Sequence, residues 1–562
     1  MKRPIVSVIA AITVMVAALS ACGSSGSGTS ASTSLTDEPA KGGTINVLLS
    51  SDYSYLDPAK GFDGGVNNFY RLVYRTLTTA APGNAKDPSA VVPDMATNLG
   101  KVSDHGLKWT FKLKDGLKFD NGDPITSKEV KFGISRSWDP AIGIGSPYAK
   151  QVIAAPDGYK GPYRSGELST IKTPDAHTIV FTLKKPYPDF PAVLAQPNMV
   201  PFPVGTGKGN AFLRKIIASG PYTLDAYTPG QSLDLKRNPN WDQSTDDVRT
   251  AKPDKWHFTI GLEGATIDER MLAGQGTDAN AIGAAVQNAT VARLQDPKIK
   301  QRVFTPTPMC TTYMSLNTTR KPLNDLRVRQ AIEYAVDKTA VQNASGGSQL
   351  AEVADTILPA SVGGHVDYNP YPRNIKKAKQ LLAEAGYPEG FDLTLDTRST
   401  DKITGQSEAI QNSLKDININ VKLNVIDTST YYETIGTISQ QHDAALTGWC
   451  PDWASSAATF IPPLFDGDNI QPKGNTNLAQ IDDPEINTAI DKAMKIDDRA
   501  KANEAWGNLD KLVMSKAPIV PLVWEKGLTL VGSNVTGLWG NPGAASGGID
   551  YVLAGLRDPT EG

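Results

Sequence analysis

Polar and apolar residues alternate over Lys108-Trp-Thr-Phe-Lys-Leu, the two-residue period of a strand with one buried face. Thr178-Ile-Val-Phe-Thr-Leu repeats the alternation and is its expected partner. Between them, Thr126 or Ser127 can cap a helix that carries Val130, Phe132, Ile134 and Trp138. Further along, the period changes to that of a helix. Asp325 can cap Leu326 to about Lys338, with Val328, Ala331, Ile332, Ala335 and Val336 on one face. Asn374 can cap Ile375 to Ala385, with Ala378, Leu381, Leu382 and Ala385 inward and Gly386 as the stop. Both stripes read as core packing and mark no site. Thr44 to Leu49, entered through Gly42-Gly43, reads as a first strand. Strand and helix signals then mix to the end, with no internal repeat.

The longest apolar run, Ile5 to Ala18, follows Lys2 and Arg3 and reads as a secretory signal peptide. It falls short of the roughly 20 residues that span a bilayer. Residues 23 to about 42 are rich in Gly, Ser and Thr, have almost nothing to bury, and read as a flexible tether. Leu19-Ser20-Ala21-Cys22 resembles the lipobox of bacterial lipoproteins. That resemblance implies a signal peptide over 1–22, a diacylglyceryl thioether on Cys22, and a mature chain anchored to the cell membrane outside the cytoplasm.

The 562 residues allow three or four domains, or fewer large ones. Hydrophobic residues at 40% and charged residues at 20% suit a soluble globular chain. A net charge of -3 offers no basic footprint for nucleic acid. Cys22, Cys310 and Cys450 are the only cysteines. With Cys22 lipidated, Cys310 and Cys450 are left as a pair in an oxidising compartment, where a disulfide is the simple expectation and two buried thiols the alternative.

Marks of catalysis are sparse. No Gly-x-Ser-x-Gly, phosphate-binding Gly-x-x-x-x-Gly-Lys or His-Glu-x-x-His occurs, and the five histidines are scattered. Gly205, Gly207 and Gly209 read as a loop. Asp246-Asp247 and Asp482-Asp483 sit among turn formers and read as solvated caps. An enzyme is therefore not expected, and neither is a cofactor or metal.

Several segments together resemble the extracytoplasmic solute-binding proteins of ABC importers, in the peptide and nickel class (family 5), closest to oligopeptide-binding lipoproteins. They are Val92-Pro93-Asp94-Met95-Ala96; the run from Lys108 to Val130 with its turn at Asp120-Asn121-Gly122; Gly220-Pro221-Tyr222 with Leu235 to Trp241; Pro322 to Asp337; and Ala385 to Phe391. The resemblance implies an α/β, two-lobed periplasmic-binding-protein fold with an extra α+β domain on the first lobe and a two-strand hinge. It places a discontinuous lobe I at 43–80, 218–309 and 527–562, the extra domain at 81–217, and lobe II at 310–526.

The sharpest local match is Gly448-Trp449-Cys450-Pro451-Asp452-Trp453, which is similar to the Gly-Trp-Cys-x-Asp segment of oligopeptide-binding members. By that resemblance Gly448 and Cys450 offer main-chain groups to a bound peptide, and Asp452 anchors its α-ammonium. Cys450 bonds to Cys310 near the hinge. Trp449 and Trp453 are further candidate ligand-binding residues, which in a sugar receptor could supply the stacked aromatics. The physics agrees. A receptor that tolerates many side chains holds the backbone and the terminal charge, which all peptides share. The competing readings are Asp452 as a helix N-cap and the two tryptophans as core. Pro451 and the following Ala-Ser-Ser-Ala-Ala depart from the pattern and leave ligand length open.

The expectation is a monomeric, lipid-anchored receptor that captures an oligopeptide between its lobes and delivers it to an ABC permease and ATPase complex. Its rivals are a same-fold receptor for an oligosaccharide or metal chelate, a secreted hydrolase, and a signalling or adhesive surface protein.

Overall fold

The computed structural model describes residues 34–61, 64–212, 214–428, 430–544 and 548–560. The signal peptide, Cys22 and the tether up to residue 33 lie outside the described residues. Residues 34–42 are docked. The Ala40 amide donates to the Leu556 carbonyl at 2.8 Å, and Arg557 pairs with Asp37 at 2.7 Å.

Two large sheets organise the two lobes. The first has seven strands, in the order Val303–Phe304, Thr529–Val531, Ala281–Ala285, Thr44–Leu48, Lys255–Thr259, Ser232–Arg237 and Tyr222–Thr228. Thr44–Leu48 runs parallel to both of its neighbours. Its inward Ile45 and Val47 pack with Phe69, Trp256 and Phe258. The second has six strands, in the order Ala351–Val353, Ile519–Glu525, Thr311–Leu316, Ala444–Trp449, Phe391–Arg398 and Ile419–Ile426. Thr311–Leu316 is buried at every position, as suits a strand with a neighbour on each side and helices over both faces. The chain crosses between the sheets twice, from Phe304 to Thr311 and from Glu525 to Thr529, and the crossings run side by side: the Glu525 amide donates to the Cys310 carbonyl.

The extra domain hangs on the first lobe. Its four-stranded sheet runs Lys101–Ser103, Lys108–Lys112, Thr178–Thr182, Ile171–Asp175. The alternation read from sequence sets the pairing: Lys108 lies opposite Thr182 and Phe111 opposite Ile179. Thr126 caps the helix Ser127–Ser135 in a full capping box with Glu129. Trp138 falls in a separate 3-10 turn, Arg136–Trp138.

Two expectations need correction. The helix from Asp325 ends at Ala335, and a second, capped by Asp337, runs Lys338–Ala344. A second strong cap, Asp337, directly after the last residue of the apolar stripe splits the expected helix. Asp246 is no solvated cap. It lies in a buried network where Arg75 meets Asp94 at 2.7 Å, Arg249 meets Asp94 at 3.0 Å, and Arg249 meets Asp246 at 3.2 Å. Burial opposes its charge, yet Arg249 and Arg75 hold its carboxyl well below the usual range. Asp483 is a cap, accepting from the amides of Glu485 and Ile486.

Candidate functional site

The strand Ala444–Trp449 carries the site. On one edge it pairs along its whole length with Thr311–Leu316. On the other, its pairing with Phe391–Arg398 stops at Ala445. The Tyr431 hydroxyl takes the Leu446 carbonyl at 2.7 Å, and from Thr447 to Trp449 this edge has no strand partner among the described residues. A disulfide then joins Cys450 to Cys310, fixing the strand's exit to the first hinge crossing.

Two residues on, the Asp452 amide donates to Thr459 Oγ1 at 3.1 Å, and its carboxylate accepts from the Tyr148 hydroxyl of the extra domain. Asp452 caps no helix; that role falls to Ser456 for the short turn Ala457–Thr459. No cation pairs with Asp452 among the described residues. Burial pushes its carboxyl up from the ordinary value, and only the Tyr148 hydrogen bond opposes this. Burial likewise pushes the Tyr148 hydroxyl upward, and the nearby carboxylate adds to the effect. Here, then, is a part-buried carboxylate whose charge no cation neutralises among the described residues.

Two cavities meet at Asp452. The larger, about 1370 Å³, lies between the extra domain (Tyr148, Tyr187) and the second lobe (Tyr313, Tyr432, Thr447–Cys450). The smaller, about 270 Å³, lies between Asn67 and Arg71 of the helix Gly64–Val73, residues 195–197, the hinge residue Met309, and residues 450–453. Cys450 and Asp452 line both. All five residues singled out in the sequence thus lie on these walls. Gly448 and Trp449 face the larger cavity and Trp453 the smaller. Trp449 anchors its indole N–H on the Thr459 carbonyl at 2.8 Å. Trp453 is only 3% exposed and packs into the core of the extra domain, its ring 4.9 Å from that of Tyr148.

The sequence did not point to the clasp that holds the second lobe against the extra domain. Asp189 accepts from Ser456 Oγ at 2.6 Å and from the Trp453 indole at 3.4 Å, and pairs with Arg499 at 3.0 Å. Tyr148 was missed as well, since it sits outside any periodic stretch. Among the described residues, no cluster of His, Cys, Asp and Glu is arranged to hold a metal ion.

This geometry has relatives. The glutathione-binding protein GsiB of Escherichia coli O1:K1 / APEC is 27% identical over 512 residues, covering 88% of this chain and 91% of that protein. Among solved structures, clavulanic acid biosynthesis oligopeptide binding protein 2 superposes with a TM-score of 0.86 at 32% identity, covering 93% of this chain and 97% of that one. The unliganded open form of the periplasmic murein tripeptide binding protein MppA shares the fold, with a TM-score of 0.76 at 22% identity over 92% of this chain and 98% of its own. The profile of the bacterial extracellular solute-binding proteins, family 5 (middle), matches residues 90–472. These are binding components of transport systems rather than enzymes, and by fold and sequence the chain belongs to the bacterial extracellular solute-binding proteins, family 5.

Proposed function

We propose that the protein is a lipid-anchored receptor that captures an oligopeptide between its lobes and hands it to an ABC permease. One observation carries the reading: the edge Thr447–Trp449, with no strand partner among the described residues, leads directly to the part-buried Asp452, which meets no cation among them. A peptide in the larger cavity extends the sheet along that edge, with its backbone supplying the hydrogen bonds and its side chains the cavity contacts. Its α-ammonium meets Asp452 in a charge-assisted bond, in surroundings where burial strengthens the attraction. The disulfide holds the strand that bears this carboxylate in register with the hinge, so that closing the lobes brings Tyr148 onto it. Ligand stabilises the closed arrangement because it touches both walls. Several relatives are glutathione-, oligopeptide- and tripeptide-binding proteins, which supports a peptide ligand. A sugar reading loses one of its two stacking platforms, since Trp453 is 3% exposed.

Native mass spectrometry of the protein purified without denaturation tests this. Carried-through adducts with the masses of short peptides are expected, released on unfolding. Adducts with oligosaccharide or metal-chelate masses would overturn the reading.

A further inference from the structure

We propose that the ligand carries, besides its α-ammonium, a basic side chain that the larger cavity holds through the carboxylates of Asp466 and Asp491. This rests on the peptide reading above and narrows it to cationic peptides. The argument starts from charge. The ionisable side chains lining that cavity include four carboxylates, Asp452, Asp466, Asp468 and Asp491, against two lysines, Lys185 and Lys495. The difference is a formal charge of -2. None of these six groups forms an ion pair with another protein group among the described residues. Asp468 and Asp491 are exposed, whereas Asp452 and Asp466 are half-buried, a setting in which Asp278 and Glu525 have Arg270 and Lys402 as cation partners.

Asp466 is the best-placed of the three outer carboxylates. It follows the helix Ile461–Phe465, and its backbone is fixed on both sides: its amide donates to the Pro462 carbonyl, and its carbonyl accepts from Asn477 Nδ2. Its Oδ1 accepts from the Asp468 amide at 3.0 Å, and Oδ2 has no hydrogen-bond partner among the described residues. Burial, with the like charges of Asp468 and Asp491, pushes this carboxyl above its ordinary value, and the Asp468 amide and the charge of Lys185 offset this only in part. A guanidinium or ammonium placed there relieves that repulsion and takes up the free oxygen. The rest of the wall suits the same chemistry. Tyr187, Tyr313, Tyr432 and Trp449 present aromatic rings, which attract a cation over their faces.

A peptide with neutral side chains and free ends brings no net charge and leaves the closed cavity at -2. Each basic side chain moves it one charge toward neutrality. Titration calorimetry with a free-amine tetrapeptide series tests this, with arginine placed at each position in turn and citrulline as its neutral near-isostere. At one position or more, the arginine peptide is expected to bind at least 10-fold tighter than its citrulline twin. In the Asp466→Asn, Asp491→Asn double variant that ratio is expected to collapse toward one. Because the preference is read first on the unmodified protein, the test stands even where the variant folds poorly. Equal affinity of arginine and citrulline peptides at every position would overturn the proposal and leave the peptide reading intact. Binding of neither series would overturn both.

Discussion

Replacing Asp189 by asparagine loosens the clasp between the second lobe and the extra domain without touching either cavity's strand edge. The carboxylate is 13% exposed, and its partners are Ser456, Trp453 and a 43%-exposed Arg499. A hydrogen bond to a buried charged acceptor contributes about 1.5–3 kcal/mol. An ion pair with a partner as exposed as Arg499 contributes about 0–1 kcal/mol after screening. Asparagine keeps one acceptor oxygen and loses the charge, so a net loss of about 2 kcal/mol is expected, or roughly 30-fold in the closing equilibrium. Where the ligand-free protein is mostly open, that factor passes directly into apparent affinity, because binding competence scales with the closed fraction. The assay pairs peptide titration with small-angle scattering of the free and loaded protein. Asp189→Asn is expected to bind peptide roughly 30-fold more weakly, with the scattering of the mostly open free state and of the loaded state both unchanged. Arg499→Ala, which removes only the more exposed partner, is expected to do less. Affinity within twofold of the parent would refute the idea that these contacts hold the lobes closed.

Three further outcomes follow from other parts of the chain. Burial with no hydrogen bond to either oxygen pushes the Glu333 carboxyl up to about 7 from 4.5, with Lys338 at 3.8 Å only partly opposing this. Its folded value lies above its unfolded one, so its contribution to stability is whole below pH 4.5 and is lost as pH rises through about 7. The loss is about 3 kcal/mol, and Glu333→Gln should flatten this part of the melting-temperature profile between pH 5 and 8; an unchanged profile would contradict it. The Cys310–Cys450 bond spans 140 residues, for which the chain-entropy estimate is about 5 kcal/mol, so a Cys310→Ser, Cys450→Ser double variant should unfold at markedly lower denaturant; an unshifted midpoint would show that the bond adds no stability. Cys22→Ala should abolish incorporation of labelled fatty acid, whereas label retained in the variant would reject Cys22 as the lipid anchor.

Elements whose signal is local were legible in the sequence. The 108–112 and 178–182 strands, the Thr126 cap and the Asn374 cap came out as their patterns implied, because alternation and capping are properties of a few adjacent residues. Val336 was misassigned to a single helix because Asp337 is itself a cap, and a hydrophobic stripe does not register a break that leaves its phase intact. Asp246 was misread because the arginine that completes its network, Arg75, is far away in the chain. The candidate site divides the same way. The Gly448–Trp453 segment was visible through its likeness to a family pattern. Tyr148, Asp189 and Asp466 come from separate stretches with no periodic signal, and only tertiary folding brings Tyr148 to Asp452, Asp189 to Ser456 and Asp466 to the larger cavity.

The central claim is that Asp452 holds the amino end of a peptide. It is tested most directly by titrating one tetrapeptide, with its amine free or acetylated, into the parent protein and into Asp452→Asn. Truncating one partner of a buried charge pair costs about 2–5 kcal/mol, so the parent should prefer the free amine by about 100-fold, and the variant should lose most of that preference. Burial raises the Asp452 carboxyl in the empty protein, and a bound ammonium favours its ionised form. Affinity for the free amine should therefore be whole above that raised value and fall as pH drops through it. Equal affinity of the parent for the free and acetylated peptides would contradict the account.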